Sequence, residues 1–515
     1  MDSSTITNNQ IFDWLERNNR LFPDKIFIHS IDQEKSITYG AAYDCCHRIA
    51  AYLNNLGLRA NDRVALLSNN SLEHLMTYFG VMVYGATICT IHVEMNSLYL
   101  GDILRQINPK LVLVEDSICL DPLEEMPTAD ILPLGEWAET GGSGFFGELC
   151  GGEKGKALRP VNAPSDIAEI FYTSGTTSTP KGVMCTFEQL CENTDSVMDG
   201  FAISNEDRVL DFRSFNWLSA QILSATGPLS RGATILLGRK FSASRFFDWV
   251  RNYRATIATG NPTIINMLIN RPTDIDKFDI PDFRYITSSS APLLAQDWKK
   301  FEDMYNIPIA QGFGASEAGW LAASNEENRR IGSVGKPLPY HKIRIVDEQG
   351  NEMPPNETGR IELGRDPETA YRYIENNAPA QLAESGFIQT GDIGYLDEDG
   401  FLFVTGRERD LIIRGGVNIS PVEIENVALE LANISQAAAI GVPDEIYGEE
   451  IVLFIVPADG SAINIETVRQ HCQSRLNKVK IPKYIEIYED LPKTDRGKLD
   501  RRSLRGFCSN PKEET

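Results

Sequence analysis

Apolar and polar positions along the first 115 residues follow two periods in turn. Cys46, Ile49, Ala50 and Leu53 fall at i, i+3, i+4 and i+7, one face of a helix, and Gly57 stands where that helix would stop. VALL at 64–67 reads as a buried strand. An apolar helix follows Ser71, then come ATICTI at 86–91, a helix near 97–107, and LVLV at 111–114. Strands alternating with helices predict βαβ units and a largely parallel sheet. The most membrane-like stretch, LMTYFGVMVYGATICTI at 75–91, is short and carries Gly80, Gly85 and threonines. It predicts a buried helix followed by a buried strand.

Residues 121–166 hold prolines and the glycine-rich GGSGFFG and GGEKGK with little periodicity, which predicts a surface connection. Alternation resumes from 167 to about 320. Over 332–405 short strands separated by DEQG, PPNETG and DEDG predict a small β-rich subdomain. A separate module begins after Arg409. Ser420, Pro421 and Glu423 combine a helix N-cap, a first-turn proline and a capping-box glutamate. AAAIGVP, IVLFIV, a helix around 465–476 and YIEIY complete a compact α+β unit, and the last ten residues read as frayed.

At 515 residues the chain exceeds one core, and its 42% hydrophobic and 23% charged residues belong to a soluble globular protein. With 72 acidic against 49 basic residues, the net charge of -23 argues against a nucleic-acid partner. Nine cysteines show no C-x-x-C pair, as expected of reduced thiols in a cytosolic compartment, and six histidines show no metal-ligand spacing. The polar N-terminus is no signal peptide, and KEET at the end lacks the peroxisomal SKL. These features predict a cytoplasmic protein without a membrane span and leave a homodimer open.

The densest chemistry lies at 172–182, YTSGTTSTPKG, fed by the apolar run IAEIF. Its hydroxyls, backbone N–H groups and Lys181 suit polyanionic oxygens, although it is no Walker loop. A solvated linker has the same composition. Four further stretches are QGFGASEAG at 311–319, QTGDIGYLDEDG at 389–400, GRERDLIIRGGVNISPVEIE at 406–425 and LPKTDRGKLDR at 491–501. Each alone reads equally well as turns, turn carboxylates or a solvated basic face.

Together and in this order, the five stretches resemble the adenylate-forming family of acyl-CoA synthetases, adenylation domains and luciferases, over roughly residues 10–502. The resemblance implies an α/β fold. A large N-terminal domain of parallel βα sheets would span 1–408, with the β-rich subdomain at about 332–405, followed by a small mobile α+β lid at 409–515. It implies an acid–CoA ligase that uses ATP, Mg²⁺ and coenzyme A through an acyl-adenylate. Thr173, Ser174, Gly175, Thr176, Thr177 and Lys181 would cradle the leaving pyrophosphate. Ser316 would touch the α-phosphate and Glu317 would hold Mg²⁺, while Phe313 replaces the usual tyrosine beside adenine. Asp392 and Arg407 would hold the ribose, and Lys498 would bridge the carboxylate and the α-phosphate. Arg409 stands at the hinge, where aspartate or lysine is more usual, and Gly415 and Gly416 belong to the loop presented for the thiol step. Tyr447 and Lys483, with Lys478 and Lys480 nearby, match positions that contact CoA in some relatives.

The acid pocket departs from the pattern. FRSFNWLSAQ at 212–221 sets Asn216 and Trp217 where a histidine is common, and no aspartate awaits an amino-acid ammonium. TSSSAPL at 287–293 puts Ser289 on a glycine position, and Gly312 and Trp320 adjoin. A short, bulky-walled pocket follows, fit for a short, branched, aromatic or carnitine-like acid. The alternatives are an enzyme that loads a carrier-protein thiol and a catalytically silent nucleotide-binding relative.

Overall fold

Segments with two-residue alternation or unbroken apolar runs become strands, and those with helical periodicity pack between them. The computed structural model describes residues 7–93, 97–118, 129–138, 142–150, 158–173, 181–275, 277–291, 293–364, 371–375, 387–458, 461–493 and 499–507. It forms two compact units. The first comprises residues up to Leu293, Asp297–Lys342 and Gly364–Ile388, and the second Leu294–Gln296, Ile343–Leu363 and the chain from Gln389.

Among the described residues the first unit contains a seven-stranded and a nine-stranded sheet. The smaller sheet runs in the order Arg372–Tyr373, Lys181–Thr186, Ile167–Thr173, Thr87–Ile91, Arg63–Leu67, Leu111–Val114 and Asp130–Pro133. From Ile167–Thr173 to Asp130–Pro133 every pairing is parallel. The larger sheet centres on the parallel strands Ile309–Ala315, Tyr285–Ser288, Ile257–Ala258, Arg208–Asp211, Thr234–Leu237 and Ile26–Ser30. One core takes Val64, Leu66 and Ile88 from the first sheet and Phe27, Val209 and Ile235 from the second, with the helices Tyr39–Asn55, Leu72–Tyr84 and Phe187–Gly200 contributing between them. Separate apolar clusters cover the remaining faces.

The membrane-like stretch is the Leu72–Tyr84 helix and the Thr87–Ile91 strand, both wholly buried. Gly80 lets that helix lie against Tyr39–Asn55, since a Cβ there would sit 2.6 Å from Ile49 Cδ1. Among the described residues no helix is long and apolar enough to cross a membrane. The described cysteines 45, 46, 89, 185, 191 and 472 are buried and unbridged.

Residues 121–166 are more than a surface connection. They supply the edge strand Asp130–Pro133 and the helix Gly144–Cys150, whose Phe145 and Phe146 enter the main core. Both elements are too short to display a period.

The second unit contains the sheet Lys342–Val346, Gly359–Gly364, Ile388–Leu396 and Leu402–Arg407, whose last two strands pair antiparallel, the β-rich region that the turn signals predict. It also holds Val417–Ile419, Ile412–Arg414, Gly448–Pro457 and Ile434–Asp444, with Tyr484–Ile487 pairing parallel to Gly448–Pro457. The helices Pro421–Leu429 and Ile465–Arg475 pack on this sheet through Ile424, Ala428, Val468 and Cys472. Pro421 starts its helix, but no capping box forms. The Ser420 hydroxyl donates to the Thr405 carbonyl instead of accepting from the first turn, and Glu423 pairs with Lys480 at 2.7 Å.

Candidate active site

Open parallel sheets expose their ligand-binding edge at the carboxyl ends of their strands. In the first unit those ends meet. Asn216 and Trp217 lie just beyond Arg208–Asp211, and His92 directly follows Thr87–Ile91 of the other sheet. The rings of His92 and Trp217 stack at 5.7 Å, 12° from parallel. Asn216 Nδ2 donates to the Ser68 carbonyl beyond the Arg63–Leu67 strand (3.1 Å), and Gln221 Nε2 donates to Thr90 Oγ1 (2.9 Å). Gln221 opens a buried π-helical stretch, Gln221–Thr226, a widened turn that is frequent at functional sites.

Register places the next two predicted pocket residues side by side. Ser288 pairs with Gln311, so Ser289, just past the end of its strand, and Gly312, inside the adjacent one, come next in register. The buried Ser289 hydroxyl and Asn216 Oδ1 have no hydrogen-bond partner among the described residues. Unsatisfied buried polar atoms mark places where a ligand or water completes the bonding. Gly312 is closed from behind, because a Cβ on it would lie 2.6 Å from Trp320 and 2.7 Å from Phe201. Trp320 itself is buried, edge-on to Phe201. It is both a core residue and a wall.

Ile309–Ala315 and Gly319–Ala323 form a hairpin, with Ala315 facing Gly319, so Ser316, Glu317 and Ala318 occupy its tip. Asn193 holds the turn by accepting from Trp320 N (2.9 Å) and donating to its carbonyl (2.8 Å), and a ring nitrogen of His341 lies 2.9 Å from the Ala318 carbonyl oxygen. Ser316 is exposed, and Phe313 and Glu317 are half-buried. The hydroxyl-rich loop is closed by an antiparallel pairing of Thr173 with Lys181. Ser174, Gly175, Thr176 and Thr177 lie outside the described residues. Lys181 is exposed, its Nζ 5.1 Å from the centroid of the Tyr373 ring, on a strand paired with its own. Burial, and then the charges of Glu317 and Glu375, push the Tyr373 phenol up to about 12. The Tyr373 ring thus faces Lys181 and stands within electrostatic reach of Glu317.

The second unit carries the other predicted groups. Asp392 pairs in register with Arg407, and Arg407 Nε reaches Asp392 Oδ1 at 2.7 Å. The carboxylate is buried and the guanidinium half exposed, so the pair offers one screened acceptor and one accessible cation. Arg409 lies in the exposed single turn Glu408–Asp410. Gly415 and Gly416 form a two-residue hairpin turn with φ of 59° and 79°, left-handed at both positions as a type I′ turn demands. Gly415 N donates to the Tyr447 carbonyl (2.8 Å), and the Arg414 guanidinium lies over the Tyr447 ring at 4.6 Å. Lys483 and Lys480 are engaged by Asp444 (3.0 Å) and Glu423 (2.7 Å), while Lys478 is exposed. Backbone N–H donation from Tyr447, then Lys483 and Ile446, holds the Asp444 carboxyl down at about 2. Lys498 lies outside the described residues, between Lys493 and Leu499, which form an antiparallel bridge.

Residues 15–373 match the AMP-binding enzyme model and 423–498 match the AMP-binding enzyme C-terminal domain. The chain belongs to the AMP-binding enzyme family. It is 31% identical over 514 residues to the oxalate–CoA ligase of Arabidopsis thaliana, covering 98% of each chain. It is 29% identical over 500 residues to the sulfoacetate–CoA ligase of Cupriavidus necator, covering 94% of this chain and 95% of the other. Its fold is similar to that of ATP-bound MatB from Rhodopseudomonas palustris, with a TM-score of 0.86 and 25% identity over 98% of this chain and 99% of that one.

In this AMP-binding enzyme, Tyr373, His92 and Gln221 stand beside the predicted residues without a motif to announce them. Tyr373 sits among turn residues, and His92 is one of six dispersed histidines. Only the strand register reveals their place.

Proposed function

We propose that this AMP-forming acid–CoA ligase activates a compact carboxylic acid with ATP and transfers the acyl group to coenzyme A. The observation that supports the substrate reading is the tight packing behind Gly312, where an added Cβ would meet Trp320 and Phe201, which in this reading closes the pocket to a longer chain. The stacked His92 and Trp217 rings at the sheet ends favour a short, branched, aromatic or carnitine-like acid over a long unbranched one.

A carboxylate is a poor electrophile because its charge is delocalised. One of its oxygens attacks the α-phosphorus of ATP, the bond to the β-phosphate oxygen breaks, and pyrophosphate leaves. The resulting acyl-adenylate then loses AMP to a thiolate, which forms the thioester. Lys181 neutralises the leaving pyrophosphate, Ser316 donates to the α-phosphate, and Lys498 bridges it to the attacking carboxylate. Asp392 and Arg407 orient the ribose, and Phe313 stacks on adenine. Glu317 presents an oxygen donor, which suits Mg²⁺, an ion held by one or two carboxylates together with substrate phosphates. Bound there, Mg²⁺ supplies charge neutralisation to phosphate oxygens. Arg409 is the proposed pivot for the region from 409 onward, which brings Gly415 and Gly416 into use for the thiol step. Tyr447 offers a ring to the adenine of CoA, whereas Lys483 must exchange Asp444 for a phosphate.

The test is an acid panel with CoA that reads AMP and thioester together. Small acids give thioester with kcat/KM well above octanoate and palmitate. A wild-type preference for the long unbranched acids overturns the substrate reading. Competition between CoA and a phosphopantetheinylated carrier protein tests the acceptor, and preferential loading of the carrier overturns CoA.

A further inference from the structure

We infer that the Glu425–Arg501 ion pair is a positioning device for Lys498, fixing the chain that directly follows that lysine. The inference rests on the assignment of Lys498 to the adenylation step. Arg501 Nη2 donates to both oxygens of Glu425, at 2.6 and 2.8 Å, and Glu425 Oε1 also accepts from Ala439 N at 2.8 Å. Glu425 is mounted on the Pro421–Leu429 helix, whose Ile424 and Ala428 are buried, and Ala439 lies in the long Ile434–Asp444 strand. One end of the pair is therefore tied to a helix and a strand at once. The other end stands three positions after Lys498 and starts the Arg501–Phe507 helix, anchored by the fully buried Leu504.

The chain that precedes the lysine is held as well. Lys493 bridges Leu499, Asp500 N donates to the Pro492 carbonyl at 2.9 Å, and Leu491 is buried in the same cluster as Leu504. Backbone pairing fixes the separation of the two flanking segments but leaves their twist to the side chains. The ion pair supplies that restraint, because Arg501 Nη2 spans both Glu425 oxygens while Glu425 is itself held by the Ala439 N–H.

Stability alone does not account for the pair. Burial pushes the Glu425 carboxyl up, against the pull of Arg501 and the Ala439 N–H. Replacing such a buried pair with apolar groups of similar volume is often neutral or stabilising. What an apolar pair cannot supply is a fixed direction. A misplacement of about 1 Å at a catalytic group costs on the order of 10²-fold in rate.

The experiment measures acid-dependent pyrophosphate release and, separately, thioester formation from supplied acyl-adenylate. The full-length proteins compared are wild type, Glu425→Gln, Arg501→Lys, Lys498→Ala and Glu425→Gln/Lys498→Ala. The inference expects Glu425→Gln to slow pyrophosphate release roughly ten- to a hundredfold with thioester formation within about twofold of wild type. It also expects no further loss when Glu425→Gln is added to Lys498→Ala, because a residue acting through the lysine has nothing left to position. Arg501→Lys keeps the charge and loses the planar guanidinium whose Nη2 spans both Glu425 oxygens, and reads the same quantities should Glu425→Gln fail to fold. Parallel loss of both half-reactions, additive loss in the double variant, or wild-type pyrophosphate release in both single variants overturns the inference. If Lys498→Ala itself slows both half-reactions equally, the assignment of Lys498 falls first, and the two failures are told apart.

Discussion

Where the two sheets of the first unit meet, most buried polar side chains have neutral partners: Asn193 on the Trp320 backbone, Asn216 on the Ser68 carbonyl, Gln221 on Thr90, and protonatable Glu169 on the Tyr78 hydroxyl. Ion pairs occur there too, as Asp211 with Arg213 and Glu73 with Lys35. In the second unit the corresponding work falls to ion pairs: Asp392 with Arg407, Glu425 with Arg501, Arg414 with Glu450, and Lys483 with Asp444. The first unit has a large apolar core to hold its elements, and hydrogen bonds need only finish what packing has shaped. The second has a smaller core and must aim a few long side chains, which charge pairs do well and packing does poorly. Changes in the first unit should therefore alter which acid binds and how the fold responds to pH. Changes in the second should separate the two half-reactions.

The sharpest way to break this contrast is Lys498→Ala. It should lower adenylation by about 10²–10³ while sparing thioester formation from supplied acyl-adenylate. Equal loss in both steps would remove the functional distinction between the units. Next in size, Asp392→Asn removes a charged acceptor worth about 1.5–3 kcal/mol and should raise the KM for ATP roughly ten- to a hundredfold. An unchanged ATP KM would mean that Asp392 serves only Arg407. A milder effect is expected of Trp320→Leu, which opens the wall behind Gly312. Each methylene added to the acid should then gain about fourfold in relative kcat/KM, from about 0.8 kcal/mol of burial. A panel profile identical to wild type would place the acid elsewhere.

The smallest effect on rate, though not on stability, concerns Glu169. Burial pushes its carboxyl up to about 7, with the Tyr78 hydrogen bond pulling the other way. The native state then holds more protons than the unfolded chain between about pH 4.5 and 7. Stability falls as pH rises through that window, by up to about 3 kcal/mol. Glu169→Gln should flatten the dependence, as read from urea midpoints between pH 5 and 8. An equally steep fall in the variant would show that another group titrates.

Much of this arrangement was legible in the residues themselves, for identifiable reasons. Long periodic segments such as Leu72–Tyr84 and the apolar runs at 64–67 and 111–114 express local rules, and they form as expected. The family's motifs marked Glu317, Asp392 and Arg407, and the structure sets the last two in direct contact. Partners joined only by tertiary register stayed hidden. Tyr373 comes next to Lys181 because a two-residue strand pairs there, and Trp217 comes over His92 because two sheets end at one place. The capping box at Ser420 failed because a tertiary acceptor, the Thr405 carbonyl, competed for the same hydroxyl.

The facing of Thr173 and Lys181 across a ladder carries a last consequence. The cation's address is written in strand geometry and not in the hydroxyl-rich crossing that joins the two. Lengthening or trimming that crossing leaves the lysine on its face of the sheet. Deleting one residue inside Lys181–Thr186 would turn it to the opposite face, because side chains alternate at every step. The donors can be retuned by substitution or insertion, while the charge that answers them is held in phase by the sheet behind.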